Sequence, residues 1–359
     1  MDCHRCNDWG LALSDSNYRP PIHGGDPRQL PAANSTLLML DLATGINPWP
    51  WPLVSPPNDC YTTLPYFNAE LQSAAASYYG VAPELILATA GSQPVIQQLP
   101  YIASKGRVLL PAVGYEEHRY RWQRAGHDIV LFERYDREEI ARQIATENIL
   151  HMVLISPNNP SADQLAIEDL RYWRSVLPAQ GLLVVDQAFA DANPESDVSV
   201  LAGEPGIVLL RSVGKFFGLP GLRLGFVLAE PSLLAELDCC LGPWTVSGAA
   251  QWIGQQALLD KTWQQQTREK LLAASSAQAA LLAKVFAGEG IRCVNSTLFV
   301  TLIMPLPQAE ALQAACYQVG LSVRVYHCGE SGYMRWGLAA DITVLAERLS
   351  QLDIRALAA

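Results

Sequence analysis

From about residue 68 to residue 212, short apolar runs alternate with helix-like stretches, and this alternation constrains the fold most. The runs include "RVLLP" (107–111), "HMVLISP" (151–157), "GLLVVDQAF" (181–189) and "GIVLLRS" (206–212). Among the helix-like stretches, "NAELQSAAASYYG" (68–80) closes on Gly80 and "EEHRYRWQRAG" (116–126) on Gly126. Apolar runs this short, separated by helices, predict a parallel sheet covered on both faces. The proline-rich stretch "INPWPWPLVSPP" (46–57) precedes them and must be extended or turned, because proline lacks the N–H a helix needs.

After residue 230 the pattern changes. "PSLLAELDCCLG" and a long stretch from Ser247 to about Ala287 read as helical. The tail holds strand-like "FVTLIM", "LSVRVYH" and "YMRWGLA", with helices "PQAEALQAACYQVG" and "DITVLAERLSQLD", so a smaller α+β unit is expected. The expected divisions are an N-terminal arm over 1–40 that contributes to the active site, a large domain over 41–285 and a small C-terminal domain over 286–359. Half of the 359 residues are hydrophobic, enough for a sizeable core in such a pair.

The formal net charge is -10 and no run rich in lysine or arginine occurs, which argues against a nucleic-acid partner. No apolar run reaches the roughly 18 residues needed to span a bilayer. The opening "MDCHRCNDWG" has no apolar signal core, so the expected location is the cytoplasm. Eight scattered cysteines are expected to be reduced. Cys3 and Cys6 have the spacing of half a metal site, but no second such pair follows and no metal is expected.

In open α/β sheets, ligands gather at the carboxyl ends of the strands. Four features lie just after apolar runs and should therefore converge. Gly91, Ser92 and Gln93 precede a helix whose free N–H groups attract an anion; an ordinary helix cap by Ser92 is the alternative. Asn158 and Asn159 in "ISPNNPSAD" offer side-chain amides, or serve only the turn. Asp186 ends "LLVVD", where a buried carboxylate needs a cationic partner unless it caps a helix. Finally, "RSVGKFFGLPGLRLGF" sets Ser212, Lys215 and Arg223 in a glycine-rich, apolar stretch. Loss of water there lowers the lysine pKa and frees its amine as a nucleophile, and an arginine fork suits a phosphate. An anion at a helix start, a ring nitrogen facing a carboxylate and a carbonyl meeting a lysine together describe pyridoxal phosphate.

These motifs, "AGSQ", "SPNNPSA", "DQAF" and "SVGKFFGLPGLRLG", resemble the fold-type-I pyridoxal-phosphate enzymes of the class I/II aminotransferase superfamily. The resemblance covers nearly all of the chain from about residue 20. It implies an α/β fold with a mostly parallel seven-stranded-type sheet in the large domain and a smaller α+β domain. It also implies roles. Lys215 forms the Schiff base with the cofactor and later moves the proton, and Asp186 pairs the ring nitrogen. Asn159 holds the ring hydroxyl. Gly91, Ser92, Gln93, Ser212 and Arg223 hold the phosphate. Tyr115 stacks on the ring, with His118 as the alternative. Tyr61 reaches the phosphate of a neighbouring subunit, which implies a homodimer with shared active sites. Arg335 binds the substrate α-carboxylate. Phe189 stands where many relatives have a tyrosine, so that hydroxyl contact is expected to be missing, and Ser161–Ala162 replace the usual threonine-glycine.

"IHGGD" (22–26), "DLATGINPWPWP" (41–52) and "YTTLP" (61–65) narrow the resemblance to the threonine-phosphate decarboxylases of cobalamin biosynthesis. That branch converts L-threonine O-3-phosphate to (R)-1-amino-2-propanol phosphate. His23, Gly24, Asn47, Arg324 and Arg335 are the substrate-binding residues expected on this basis, with Arg324 on the phosphate. An exposed strand residue is the alternative for Arg324. Histidinol-phosphate aminotransferases resemble the core nearly as well and are the second expectation; a non-catalytic relative that binds the cofactor is the third.

Overall fold

The computed structural model describes residues 21, 24–25, 39–287 and 290–352. Cys3, Cys6, Ile22, His23 and Asp26, singled out above, lie outside the described residues. The first strand, β1 (Leu40–Asp41), is followed by β2 (Ile86–Thr89), β3 (Arg107–Pro111), β4 (Asp128–Phe132), β5 (Ile149–Ile155), β6 (Leu183–Asp186), β7 (Ile207–Ser212) and β8 (Gly225–Leu228). Strands β2 to β8 form a seven-stranded sheet in the order β2-β8-β7-β6-β5-β3-β4. The pairs from β7 through β4 are parallel, as the alternation predicts, whereas β8 runs antiparallel to both its neighbours.

The reversal at β8 has a local cause. A parallel return requires a crossover of a dozen or more residues, usually a helix. The Lys215 stretch supplies only a four-residue helix, Val213–Phe216, and then turns back. Gly218 sits in that turn at φ 67°, where an added Cβ would lie 2.7 Å from Pro50 Cα.

Alternate residues of the central strands serve two cores. Met152, Leu154, Leu183, Val185 and Leu209 pack with helices Ala69–Tyr79, Arg137–Thr146 and Ile167–Val176. Val153, Val184, Val208 and Leu210 pack on the other face with helices Gln93–Ile102 and Pro231–Leu241. The near-continuous apolar runs are explained by this double burial, since neither side of a pleated strand meets water.

The small unit contains β9 (Arg292–Ser296), β10 (Phe299–Pro305), β11 (Leu321–Ser322), β12 (Arg324–Cys328) and β13 (Ser331–Gly337). Four of them make an antiparallel sheet in the order β12-β13-β10-β9. β1 pairs in parallel with β11, and Leu42 packs in the small unit's core beside Leu312 and Leu345. The segment around residues 40–42, placed at the edge of the large domain from sequence, is thus tied to the small one. The helical stretch expected from Ser247 to Ala287 is two helices, Gly248–Leu259 and Lys261–Val285. Asp260 makes the break by accepting from Trp263 N–H at 3.0 Å and from Trp51 Nε1 at 3.1 Å. The second of these helices joins both units, with Leu271 in the large core and Leu282 in the small one. Among the described residues no helix is long and apolar enough to cross a membrane.

Candidate active site

A cavity of about 500 Å³ opens at the carboxyl edge of the large sheet. Sheet order explains who meets there. Gly225, at the start of β8, lies opposite both Thr89 of β2 and Ser212 of β7. The ends of β2, β7, β6, β5 and β3 then bring Ser92, Ser212, Lys215, Asp186, Asn159 and Tyr115 to one wall, joined by Arg223. The small unit adds Arg324, Tyr326 and Arg335, and the N-terminal side adds Gly24, Ala43 and Thr44.

Lys215 is half-buried in the cavity wall. Loss of water lowers its pKa to about 8; the charges of Arg335 and Arg223 act in the same direction, and Asp186 opposes them. Its Nζ lies 5.3 Å from the centre of the Phe189 ring. Phe189 packs edge-on against Phe299, with ring centres 5.2 Å apart.

Asp186 is buried, and both carboxylate oxygens are engaged. Oδ1 accepts from Ala188 N–H at 2.9 Å, and Oδ2 lies 2.9 Å from His118 Nε2. The histidine is itself 2% exposed, so this pair is held away from water.

At the other end, Ser92 precedes helix Gln93–Ile102, yet its side chain makes no capping hydrogen bond. The capping alternative is thereby removed, and the hydroxyl lines the cavity instead. Gly91 has φ 80°, and an added Cβ would lie 2.6 Å from Arg223 Nη2. Arg223 Nη1 donates to Pro220 O at 2.9 Å, which turns the guanidinium back toward the helix start. Gln93 Nε2 donates to buried Glu117 at 2.6 Å, while its Oε1 accepts from Tyr115 Oη at 3.1 Å. Helix N–H groups, two hydroxyls and an arginine fit a phosphate; a lysine and an anchored carboxylate fit the rest of pyridoxal phosphate.

The asparagine pair divides its labour. Asn158 Nδ2 donates to Val113 O at 3.0 Å and serves the turn. Asn159 faces the cavity, where its Oδ1 accepts from Arg335 Nη1 at 2.5 Å and from Tyr326 Oη at 3.2 Å. Buried Arg335 also donates through Nη2 to Ala43 O, and its Nε has no hydrogen-bond partner. Burial is the main influence lowering its pKa.

The family model for aminotransferase class I and II matches residues 57–349. The chain belongs to that family. The threonine-phosphate decarboxylase of Pseudomonas aeruginosa is 38% identical over 89% of this chain and 93% of its own length. A second threonine-phosphate decarboxylase, from a Sinorhizobium species, is 34% identical over 93% of this chain and 99% of its own. Histidinol-phosphate aminotransferase from Sinorhizobium meliloti, solved in complex with pyridoxal-5'-phosphate, shares the fold. Its TM-score is 0.73, with 22% identity over 84% of this chain and 86% of that one.

Within this class I and II aminotransferase fold, not every expected residue reaches the cavity. Asn47 does not line it. Its Nδ2 donates to Phe216 O at 2.8 Å and its Oδ1 accepts from Trp49 N–H at 2.9 Å, so the "TGINP" stretch braces the turn carrying Lys215. The backbone agrees, since Asn47 N–H donates to Lys215 O at 3.0 Å. His118 points at Asp186 and stands edge-on to Tyr115, with ring centres 6.1 Å apart; it is not placed as the stacking ring. Tyr61 is 66% exposed on the short helix Asp59–Thr62, outside the cavity. Gly24 abuts Ala43, the residue whose carbonyl holds Arg335; a Cβ there would lie 2.6 Å from that oxygen. Sequence reasoning overlooked Tyr326 and the Asp186–His118 pair. For Tyr326 a signal existed, because residues two apart on a strand share a face and Arg324 was already marked.

Proposed function

We propose that this protein is a pyridoxal-phosphate-dependent threonine-phosphate decarboxylase, releasing carbon dioxide from L-threonine O-3-phosphate and leaving (R)-1-amino-2-propanol phosphate. One observation carries this reading beyond the family: Arg324 and Arg335 face each other across β12 and β13 in the cavity that holds Lys215. Two cations in one site suit a substrate with two anionic ends, a carboxylate for Arg335 and a phosphate for Arg324. The threonine-phosphate decarboxylase relatives, which match nearly the whole chain, support the same substrate.

When bound, the cofactor supplies an electron sink for the electron pair left on the substrate α-carbon. The chain's own residues do the rest. Asp186, fixed by His118 and Ala188, provides the negative charge that keeps the ring nitrogen protonated. Ser92, Ser212, Arg223 and the first turn of helix Gln93–Ile102 would hold the phosphate, with Gly91 leaving room for Arg223. Gln93 acts through Tyr115, which it fixes for stacking. Asn159 lines the same cavity and would meet the ring hydroxyl, whereas Phe189 has no hydroxyl to offer. Arg335 and Arg324, at the two ends of the substrate, would restrict its rotation and so which bond at the α-carbon breaks. Lys215, in its ammonium form, would donate a proton from Nζ to the α-carbon in place of the departed carbon dioxide.

We also propose a homodimer. Tyr61, Leu64, Tyr66 and Phe67 are 66%, 55%, 69% and 77% exposed along one short stretch, a concentration of apolar surface that favours burial against a second copy. Tyr61 would then meet the partner's phosphate site.

The test is to incubate holoenzyme with threonine phosphate and, separately, with histidinol phosphate plus 2-oxoglutarate. Carbon dioxide from the first supports the proposal. Glutamate from the second, without carbon dioxide from the first, replaces it with an aminotransferase. A visible absorbance band lost in Lys215→Ala reports the covalent link to the cofactor, and its absence from the cofactor-loaded wild type would leave only a non-catalytic relative.

A further inference from the structure

The register of β12 and β13 sets Arg324 directly opposite Arg335. Like charges directly opposite on one face of an antiparallel pair repel. Tyr326 lies two residues beyond Arg324, on the same face, and lines the same cavity. The Arg324 guanidinium carbon is 4.9 Å from its ring centre and that of Arg335 is 5.4 Å away. Its hydroxyl donates to Asn159 Oδ1 at 3.2 Å, which ties the ring to the large unit.

We propose that Tyr326 is a positioning residue: its ring sets the spacing of two anion-binding guanidinium groups and so selects a substrate with two anionic ends. The inference rests on the substrate reading above. The negative face of an aromatic ring attracts a cation, and one ring near two cations offsets part of their repulsion before any anion arrives. Burial is the main influence lowering the Arg335 pKa, and the charge of Arg324 adds to it. A ring with two torsions, anchored by its hydroxyl, is also stiff, so little order remains to be imposed when substrate binds. Without the ring the repulsion between the two guanidinium groups would be less offset, and the substrate would have to overcome more of it.

The test uses holoenzyme carrying Tyr326→Leu, which removes ring and hydroxyl, and Tyr326→Phe, which keeps the ring. Steady-state kinetics on L-threonine O-phosphate are paired with equilibrium dialysis of the same compound in a Lys215→Ala background, which slows its consumption. Tyr326→Leu is expected to raise KM and the dissociation constant about tenfold, with a smaller change in kcat, as for losing a desolvated cation–π contact. Tyr326→Phe is expected to stay within about threefold of wild type, and both should keep the visible cofactor band. Tyr326→Met serves the same purpose if the leucine variant loses that band. Unchanged KM in the ringless variants, or equal damage in Tyr326→Phe and Tyr326→Leu, overturns the proposal. Wild type that binds threonine phosphate with the same ring dependence but releases no carbon dioxide sinks the decarboxylation reading and leaves this one standing. No binding by wild type sinks both.

Discussion

Gly91→Ala separates strain in the backbone from damage to the cofactor site. Gly91 stands at φ 80°, in the left-handed region. An alanine there costs about 1–2 kcal/mol. The new Cβ would also lie 2.6 Å from Arg223 Nη2. That atom ends a flexible side chain, so the guanidinium moves and the backbone stays. The moved group is the one assigned to the cofactor phosphate. A hydrogen bond to a charged group contributes about 1.5–3 kcal/mol, so cofactor affinity should fall about 10- to 150-fold. The apoprotein should lose only the strain, about 1–2 kcal/mol. Titration of apoprotein with pyridoxal phosphate, followed by absorbance, reads the first quantity; denaturant unfolding reads the second. Gly221→Ala is the control, because no atom lies within 4 Å of its added Cβ. In an Arg223→Ala background the Gly91 change should cost little further affinity, since both act through one contact. Cofactor affinity within twofold of wild type, or full additivity in the double variant, would refute the reasoning.

Arg324→Ala should lower kcat/KM on threonine phosphate by about 2–4 kcal/mol with cofactor affinity unchanged, and an unaltered kcat/KM would place the substrate phosphate elsewhere. Arg211 and Asp191 form a buried ion pair, with Gln187 Oε1 also accepting from the guanidinium at 2.7 Å. Asp191→Ala should therefore cost about 3–5 kcal/mol of unfolding free energy, measured in urea; a loss under about 1 kcal/mol would show that Gln187 and Asp197, whose Oδ1 lies 3.0 Å from Arg211 Nη1, suffice. His151 is buried, accepts from Leu182 N–H at 3.0 Å, and burial lowers its pKa from 6.5 to about 4. The unfolded chain then binds more protons than the folded one between these values, so about 3 kcal/mol of stability is lost as pH falls from near 7 to near 4. His151→Gln should flatten that slope in urea midpoints taken across the window, and an unchanged slope counts against the assignment.

Much of the site was legible from local order. Ser92, Asn159, Asp186 and Lys215 each follow an apolar run, and strands of one direction bring their carboxyl ends to one edge. Asn47 was misread because its segment looked like a loop able to face a ligand. Its oxygen serves the local turn by accepting from Trp49 N–H, and its amide meets the carbonyl of Phe216, which depends on how a distant turn folds back. Asp186 was expected to need a cationic partner; the protein side chain that meets it, His118, is 68 residues away.

Sequence alone determined that the central strands are buried on both faces, that two helices end near Gly80 and Gly126, and which chemistry-bearing residues follow the apolar runs. These follow from periodicity, from glycine and proline geometry, and from the reactivity of individual side chains. Tertiary structure alone decided that β1 joins the small unit and that Arg324 faces Arg335 with Tyr326 beside both. Strand register and the choice of neighbour are properties of two segments packed together, and neither segment encodes them by itself.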